Sequence, residues 1–173
     1  KRRVISVWLP RLATDRLRRV KRNSSQDKLQ GKKRSLVMVD DSDGRELITA
    51  TNEAAAEAGI FQGMTLADAQ FINPSLYTSP ADPMADASTL EQTVRWCGRY
   101  TPLTAVDGRD GIRLDTTGCA HLFGGEQAML DDLIIRLEGH GFGVRAALAD
   151  TLGTAWAFAR YGMENTVVER DAA

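Results

Sequence analysis

The sequence predicts an α+β fold: an antiparallel or mixed β-sheet with helices on one face and a small helical insert. Three observations predict it. Strand-like and helix-like segments interleave in the order β-α-β-β-(α-α)-α-β-β-α-β-α. Two pairs of short apolar segments, 36–39 with 47–51 and 104–107 with 111–115, are joined closely enough to be hairpins. The composition, 43% hydrophobic and 26% charged, is that of an ordinary globular chain. No run of about 18 apolar residues offers a transmembrane helix, so no membrane partner is expected.

The elements follow in order. Residues 4–8, Val-Ile-Ser-Val-Trp, are β-branched and aromatic and read as a strand. The basic residues ahead of them do not make a secretory signal, which needs a longer apolar region and a small-residue cleavage site. Pro10 can open a helix, because its missing N–H would be unpaired in a first turn anyway. Leu12, Leu17 and Val20 then recur at helical spacing. Residues 21–34 are polar and contain Asn23, Ser24, Ser25 and Gly31, which reads as a flexible loop. Residues 36–39 form a buried strand, 40–44 a turn and 47–51 the returning strand. The acids before Gly44 lack the distal Glu of a calcium loop. Asn52 can cap a short helix ended by Gly59, and Thr65 a second over 66–72, stopped before Pro74. Residues 79–85 read as a linker and 86–100 as a longer helix with Leu90, Val94 and Cys97 inward. After the second hairpin, residues 126–138 carry Met129, Leu130, Leu133, Ile134 and Leu137 on one helical stripe. A strand over 142–148 and a helix over 151–160 complete the pattern. Beyond Gly162 no periodicity is visible.

Net charge is −1, but its distribution is lopsided. Residues 1–36 hold 13 of the 22 Lys and Arg and two of the 23 acids, Asp15 and Asp27. Two readings stand: a localised phosphate-attracting surface, or a solvated loop. If DNA is contacted, Arg18, Arg19, Lys21, Arg22, Lys28, Lys32, Lys33 and Arg34 are the expected residues. They would act by counterion release, without base readout. Cys97 and Cys119 read as reduced thiols, and with His121 and His140 they do not reproduce zinc-ligand spacing. Trp8, Trp96 and Trp156 read as core residues rather than stacking platforms. Glu126 follows Gly124-Gly125 and reads as a first-turn acid that complements the helix dipole.

Several strings resemble the Y-family translesion DNA polymerases over nearly the whole chain, from about Val4 to Arg160. Gly59-Ile60-Phe61-Gln62-Gly63-Met64, Ala67-Asp68-Ala69 and Asn73-Pro74-Ser75-Leu76 look like that family's fingers pattern. Leu114-Asp115-Thr116-Thr117-Gly118 looks like the end of its second palm motif, and Ala149-Asp150-Thr151 like its third segment. The opening Ser6-Val7-Trp8-Leu9-Pro10-Arg11-Leu12-Ala13-Thr14 and the string from Thr117 to Glu126 resemble the ImuB-type branch. The resemblance implies a palm-like, ferredoxin-like sheet with a helical fingers insert. It implies palm at 1–51 (with the basic loop 18–34) and 81–173, and fingers at 52–80. It also implies that thumb, little finger and C-terminal tail lie outside these 173 residues.

It further implies a degenerate active site. Active members join nucleotides with two divalent ions held by carboxylates. At the matching positions stand Trp8, Pro10 and Gly111, with Asp110 retained. One carboxylate cannot hold two cations about 4 Å apart. The positions matching the nucleotide contacts hold Ala13, Glu53, Ala56 and Leu152. The expectation is therefore no enzyme activity, no metal and no cofactor. The chain would be a non-catalytic subunit of a bacterial SOS mutagenesis complex, cytoplasmic and nucleoid-associated. Its partners would be DNA, a C-family error-prone polymerase, a RecA-like protein and the sliding clamp. Two alternatives stay open: a divergent active polymerase recruiting Asp15 or Asp107, and a protein-interaction module that never meets DNA. Asp110 and Asp115 could hold one weak cation or be solvated hairpin acids.

Overall fold

A computed structural model describes residues 2–23, 34–41 and 44–169. The chain divides into two compact units, Lys1–Pro10 with Ala87–Ala173, and Arg11–Asp86.

The first unit is built on a five-stranded sheet. Its strands are β1 (Val4–Trp8), β5 (Thr104–Asp107), β6 (Gly111–Asp115), β7 (Arg145–Ala149) and β8 (Thr166–Val167), in the order β5-β6-β1-β7-β8. β1 is central and runs antiparallel to both β6 and β7, while β8 joins β7 in parallel. Ile5 and Val7 share a face with Leu114, Ile112, Leu148 and Ala146, their cross-strand partners. All six are buried and form the apolar layer of the sheet. The buried stripe Met129, Leu130, Leu133, Ile134 and Leu137 belongs to α5 (Glu126–Gly139), as its helical spacing predicts. α6 (Leu152–Tyr161) packs on β1 and β7 and is capped by Thr151, whose hydroxyl accepts from the Thr154 amide. A short 3₁₀ turn, Ala120–Phe123, precedes α5.

The second unit holds α1 (Leu12–Asn23) and a three-stranded sheet, β3 (Leu47–Thr51), β2 (Leu36–Asp40) and β4 (Tyr77–Pro80). β2 pairs antiparallel with β3 and parallel with β4. Between β3 and β4 lie α2 (Glu53–Glu57) and α3 (Leu66–Ile72). Val37, Ile48, Ala55, Ile60 and Ala69 make its core. Asn52 is fully buried and fixes the start of α2: its Oδ1 accepts from the Leu36 and Ala55 amides, and its Nδ2 donates to the Arg34 carbonyl. Thr65 caps α3 through the Asp68 amide. Gly59 and Gly63 take positive φ, 85° and 92°, so the string between them turns where a residue with a Cβ would be strained.

The α+β class, the mixed pairing and the small helical insert are as expected. Three details differ. The strands fall into two sheets, because the 36–51 hairpin pairs with β4 and not with β1. Residues 79–85 are not a linker: 77–80 form β4, and α4 (Pro83–Cys97) starts at Pro83. Residues 21–23 are helical, since Lys and Arg are good helix formers and prolong α1. The rest of the expected loop, 24–33, lies outside the described residues.

Candidate functional site

The candidate site lies at one end of the five-stranded sheet. Register puts Asp107, Gly111, Trp8 and Arg145 in one row across β5, β6, β1 and β7. Directly opposed residues share a face, so this row forms one strip. The turn from β5 to β6 uses Gly108 at φ 71° and delivers Asp110 beside the end of β1. There the Leu9 amide donates to the Asp110 carbonyl at 2.8 Å.

The Asp110 carboxylate is already engaged. The Trp8 indole Nε1 donates to its Oδ2 at 2.8 Å, and Arg160 of α6 reaches its Oδ1 at 3.5 Å. The Arg160 side chain is 12% exposed, and its guanidinium lies 4.4 Å from the Trp156 ring centroid and 5.6 Å from that of Trp8. Aromatic faces attract a guanidinium through their quadrupole, so the two indoles support the cation. One Arg160 nitrogen, Nη1, and Asp107 Oδ2 are buried without a hydrogen-bond partner.

Gly111 is buried and closely surrounded. A Cβ added there would lie 2.4 Å from the Asp107 carbonyl oxygen and 3.1 Å from an Arg160 nitrogen. No side chain fits without moving the backbone. Pro10 is exposed and offers no donor.

Active members of the resembled family would hold divalent metal at these positions, and the residues present do not fit it. Hard cations need several clustered oxygens. The matching slots hold an indole, a pyrrolidine, a bare glycine and a carboxylate held by Trp8 and Arg160. A dication about 4 Å from a guanidinium would meet about 8 kcal/mol of repulsion at an effective dielectric of about 20. Among the described residues, no group of three or more His, Cys, Asp and Glu is placed to hold a metal ion.

The other expected positions are scattered. Ala13 lies on α1, Glu53 and Ala56 on α2, and Leu152 opens α6. Glu53 faces Arg11 at 3.7 Å, an exposed pair that softens its negative charge. Asp15, a candidate recruited acid, is buried on α1. Asp115 lies four residues beyond Gly111, where it accepts from the Thr117 hydroxyl at 2.6 Å and from Arg2 at 2.9 Å. Of the expected DNA contacts, Arg18 is exposed and Arg19 half-buried on α1, and Arg34 is exposed ahead of β2. Lys21 rests 4.1 Å over the Tyr77 ring and donates to its hydroxyl. Arg22 lies in α1, while Lys28, Lys32 and Lys33 lie outside the described residues.

Two functional residues escaped sequence reasoning. Arg160 belongs to no motif that the sequence singles out. Arg3 read as part of a basic terminus, yet its side chain is 4% exposed and grips Glu126 and Asp150, each by 2.9 Å bonds, and the Val168 carbonyl. Burial opposes the Arg3 charge, but the bonds from Glu126 and Asp150 outweigh it and raise the pKa. Glu126 is the first residue of α5, as expected, and Arg3 explains its orientation. Trp156 corrects the core reading, since it is 36% exposed. Cys97 is buried and Cys119 half-buried, both free; burial pushes the Cys97 thiol up to about 12.

Residues 21–160 match the model of the impB/mucB/samB family. The chain belongs to that family, whose members are Y-family polymerases and their relatives. Over 104 residues it is 52% identical to Protein ImuB of Caulobacter vibrioides strain NA1000 / CB15N, and equally to that of strain ATCC 19089 / CIP 103742 / CB 15. Each match covers 60% of this chain and 23% of the relative, so the chain spans under a quarter of their length. Among solved structures, DinB from Sulfolobus solfataricus aligns over 98% of this chain and 48% of its own, with TM-score 0.71 and 18% identity. A post-insertion binary complex of Dbh DNA polymerase aligns over 96% and 48%, with TM-score 0.76 and 17% identity. These likenesses establish the fold, a Y-family polymerase palm with its associated helices.

Proposed function

We propose that this chain is the palm and fingers of a polymerase-like subunit that does not polymerise and that acts as a scaffold in bacterial translesion synthesis at damaged DNA. The observation that supports it best is the state of the metal positions: Trp8, Pro10 and Gly111 offer no ligand, and Asp110 is held by Trp8 and Arg160. We assign the palm to Lys1–Pro10 with Ala87–Ala173 and the fingers to Arg11–Asp86. This moves the expected boundaries, because β2 and β3 pair with β4.

DNA is the first proposed partner. The positive stretch of Arg18, Arg19, Arg22, Lys28, Lys32, Lys33 and Arg34 supports phosphate contact without sequence preference. A C-family polymerase, a RecA-like protein and the sliding clamp are further proposed partners, engaged mainly through parts of the relatives that the match does not cover. The proposed setting is the bacterial cytoplasm at the nucleoid.

Primer extension tests the reading. Protein carrying this region together with the segments that follow it in its relatives is incubated with primer-template DNA, nucleotides and magnesium or manganese. The expected result is no extension. Template-dependent incorporation that disappears in Asp110→Ala would establish an active polymerase instead.

A further inference from the structure

We infer that Arg160 is the resident cation of the palm: it takes over the charge balance that divalent metal performs in catalysing relatives, and its presence keeps metal out. Loss of carboxylates alone does not account for the site, because two acids persist there. Asp107 lies in the strip beside Gly111, and Asp110 sits at the turn ahead of it. Acids kept at these two places draw a counter-ion. α6 supplies that counter-ion from within the fold.

The geometry ties Arg160 to two of the altered positions, Trp8 and Gly111. Its guanidinium lies over the Trp8 ring at 5.6 Å, and Trp8 shares Asp110 with it. A nitrogen of the same guanidinium stands 3.1 Å from where a Gly111 Cβ would be, and Asp107 Cβ stands 3.3 Å from that point. Gly111 is therefore the gap into which Arg160 fits, not only a missing acid. Trp156 closes the other side at 4.4 Å. The buried, unpartnered Nη1 of Arg160 and Oδ2 of Asp107 are groups of opposite charge, each belonging to a side chain that borders the Gly111 gap. The inference concerns metal affinity and stands whether or not the scaffold reading holds.

The test uses manganese(II) and the full chain, followed by electron paramagnetic resonance of free manganese. Wild type is expected to show no saturable binding that depends on Asp110. Arg160→Met removes the charge at similar length and is expected to gain the saturable, Asp110-dependent binding that wild type lacks. That gain should vanish in Arg160→Met/Asp110→Asn. Arg160→Lys keeps a charge and should stay metal-silent. No gain in a folded Arg160→Met would overturn the inference. Should that variant fail to fold, wild type alone decides. Manganese should not selectively broaden the Trp8 indole N–H resonance. Selective broadening, lost in Asp110→Asn, would show metal entering beside Arg160 and would sink the idea.

Discussion

Replacing Arg3 with methionine removes a cation whose side chain is 4% exposed and which donates to Glu126, Asp150 and the Val168 carbonyl. Breaking a buried ion pair from one side leaves uncompensated charge, at about 3–5 kcal/mol. Here the orphaned Glu126 and Asp150 side chains are 23% and 21% exposed, so water recovers part of that loss. The lower end applies, about 3 kcal/mol. For a chain of this size that is a fall of about 6–12 °C in Tm. Circular dichroism melts and urea unfolding at neutral pH measure it. Adding Glu126→Gln should cost less on the Arg3→Met background than on wild type, by about 1–2 kcal/mol of coupling. An Arg3→Met protein within about 0.5 kcal/mol of wild type, or strictly additive effects, would refute the view that this cluster ties β1 to α5 and β7.

Two further predictions follow from the same kind of accounting. Asn52→Ala removes the acceptor for two amides and the donor for one carbonyl, all at the junction of β2 and α2, and should destabilise by about 3 kcal/mol. Asn52→Asp keeps both acceptors but sets a buried carboxylate oxygen against the Arg34 carbonyl, so its loss in urea unfolding should shrink as pH falls and the carboxyl protonates; a loss independent of pH would contradict the assignment. Asp115 is held below its usual 3.8 by the Thr117 hydroxyl, against burial, with help from the Thr117 amide and Arg2. A depressed folded pKa stabilises above the unfolded value and is lost as pH falls through the folded one. The Tm gap between wild type and Asp115→Asn should thus hold steady near neutrality and narrow below 3.8. A gap that survives acidification unchanged would count against the Thr117 and Arg2 contacts.

What could be read from sequence was what local chemistry dictates. Asn52 and Thr65 sit directly before their helices, and a cap needs only its own next three residues. The α5 stripe is legible because helical period alone aligns it. β4 was missed because Tyr-Thr-Ser-Pro carries little strand signal of its own and is stabilised by parallel pairing with β2, about 40 residues away. The candidate site divides the same way. Trp8, Asp110 and Gly111 were placed by resemblance to an ordered pattern. Arg160 belongs to no such pattern and meets Asp110 from 50 residues away. Arg3 likewise meets Glu126 and Asp150 across 123 and 147 residues. Both arginines look like surface charge in one dimension, because burial is a property of the partners that the fold brings to them.

The two arginines also bear on how a catalytic palm could become an inert one. β1 begins at a largely buried Arg–carboxylate cluster, through Arg3, and ends at a more open one, through Trp8, Asp110 and Arg160. On the proposed reading the second is balanced in the same way, by a guanidinium of the chain itself. Reintroducing acids at positions 8, 10 and 111 would therefore not rebuild a metal site. New carboxylates would pair with the guanidinium already there, and a side chain at 111 would collide with the Asp107 carbonyl before reaching any ion. On the reading proposed above, the cation must leave before the ligands can return, so Arg160 adds a positive contact to the effect of the missing ligands.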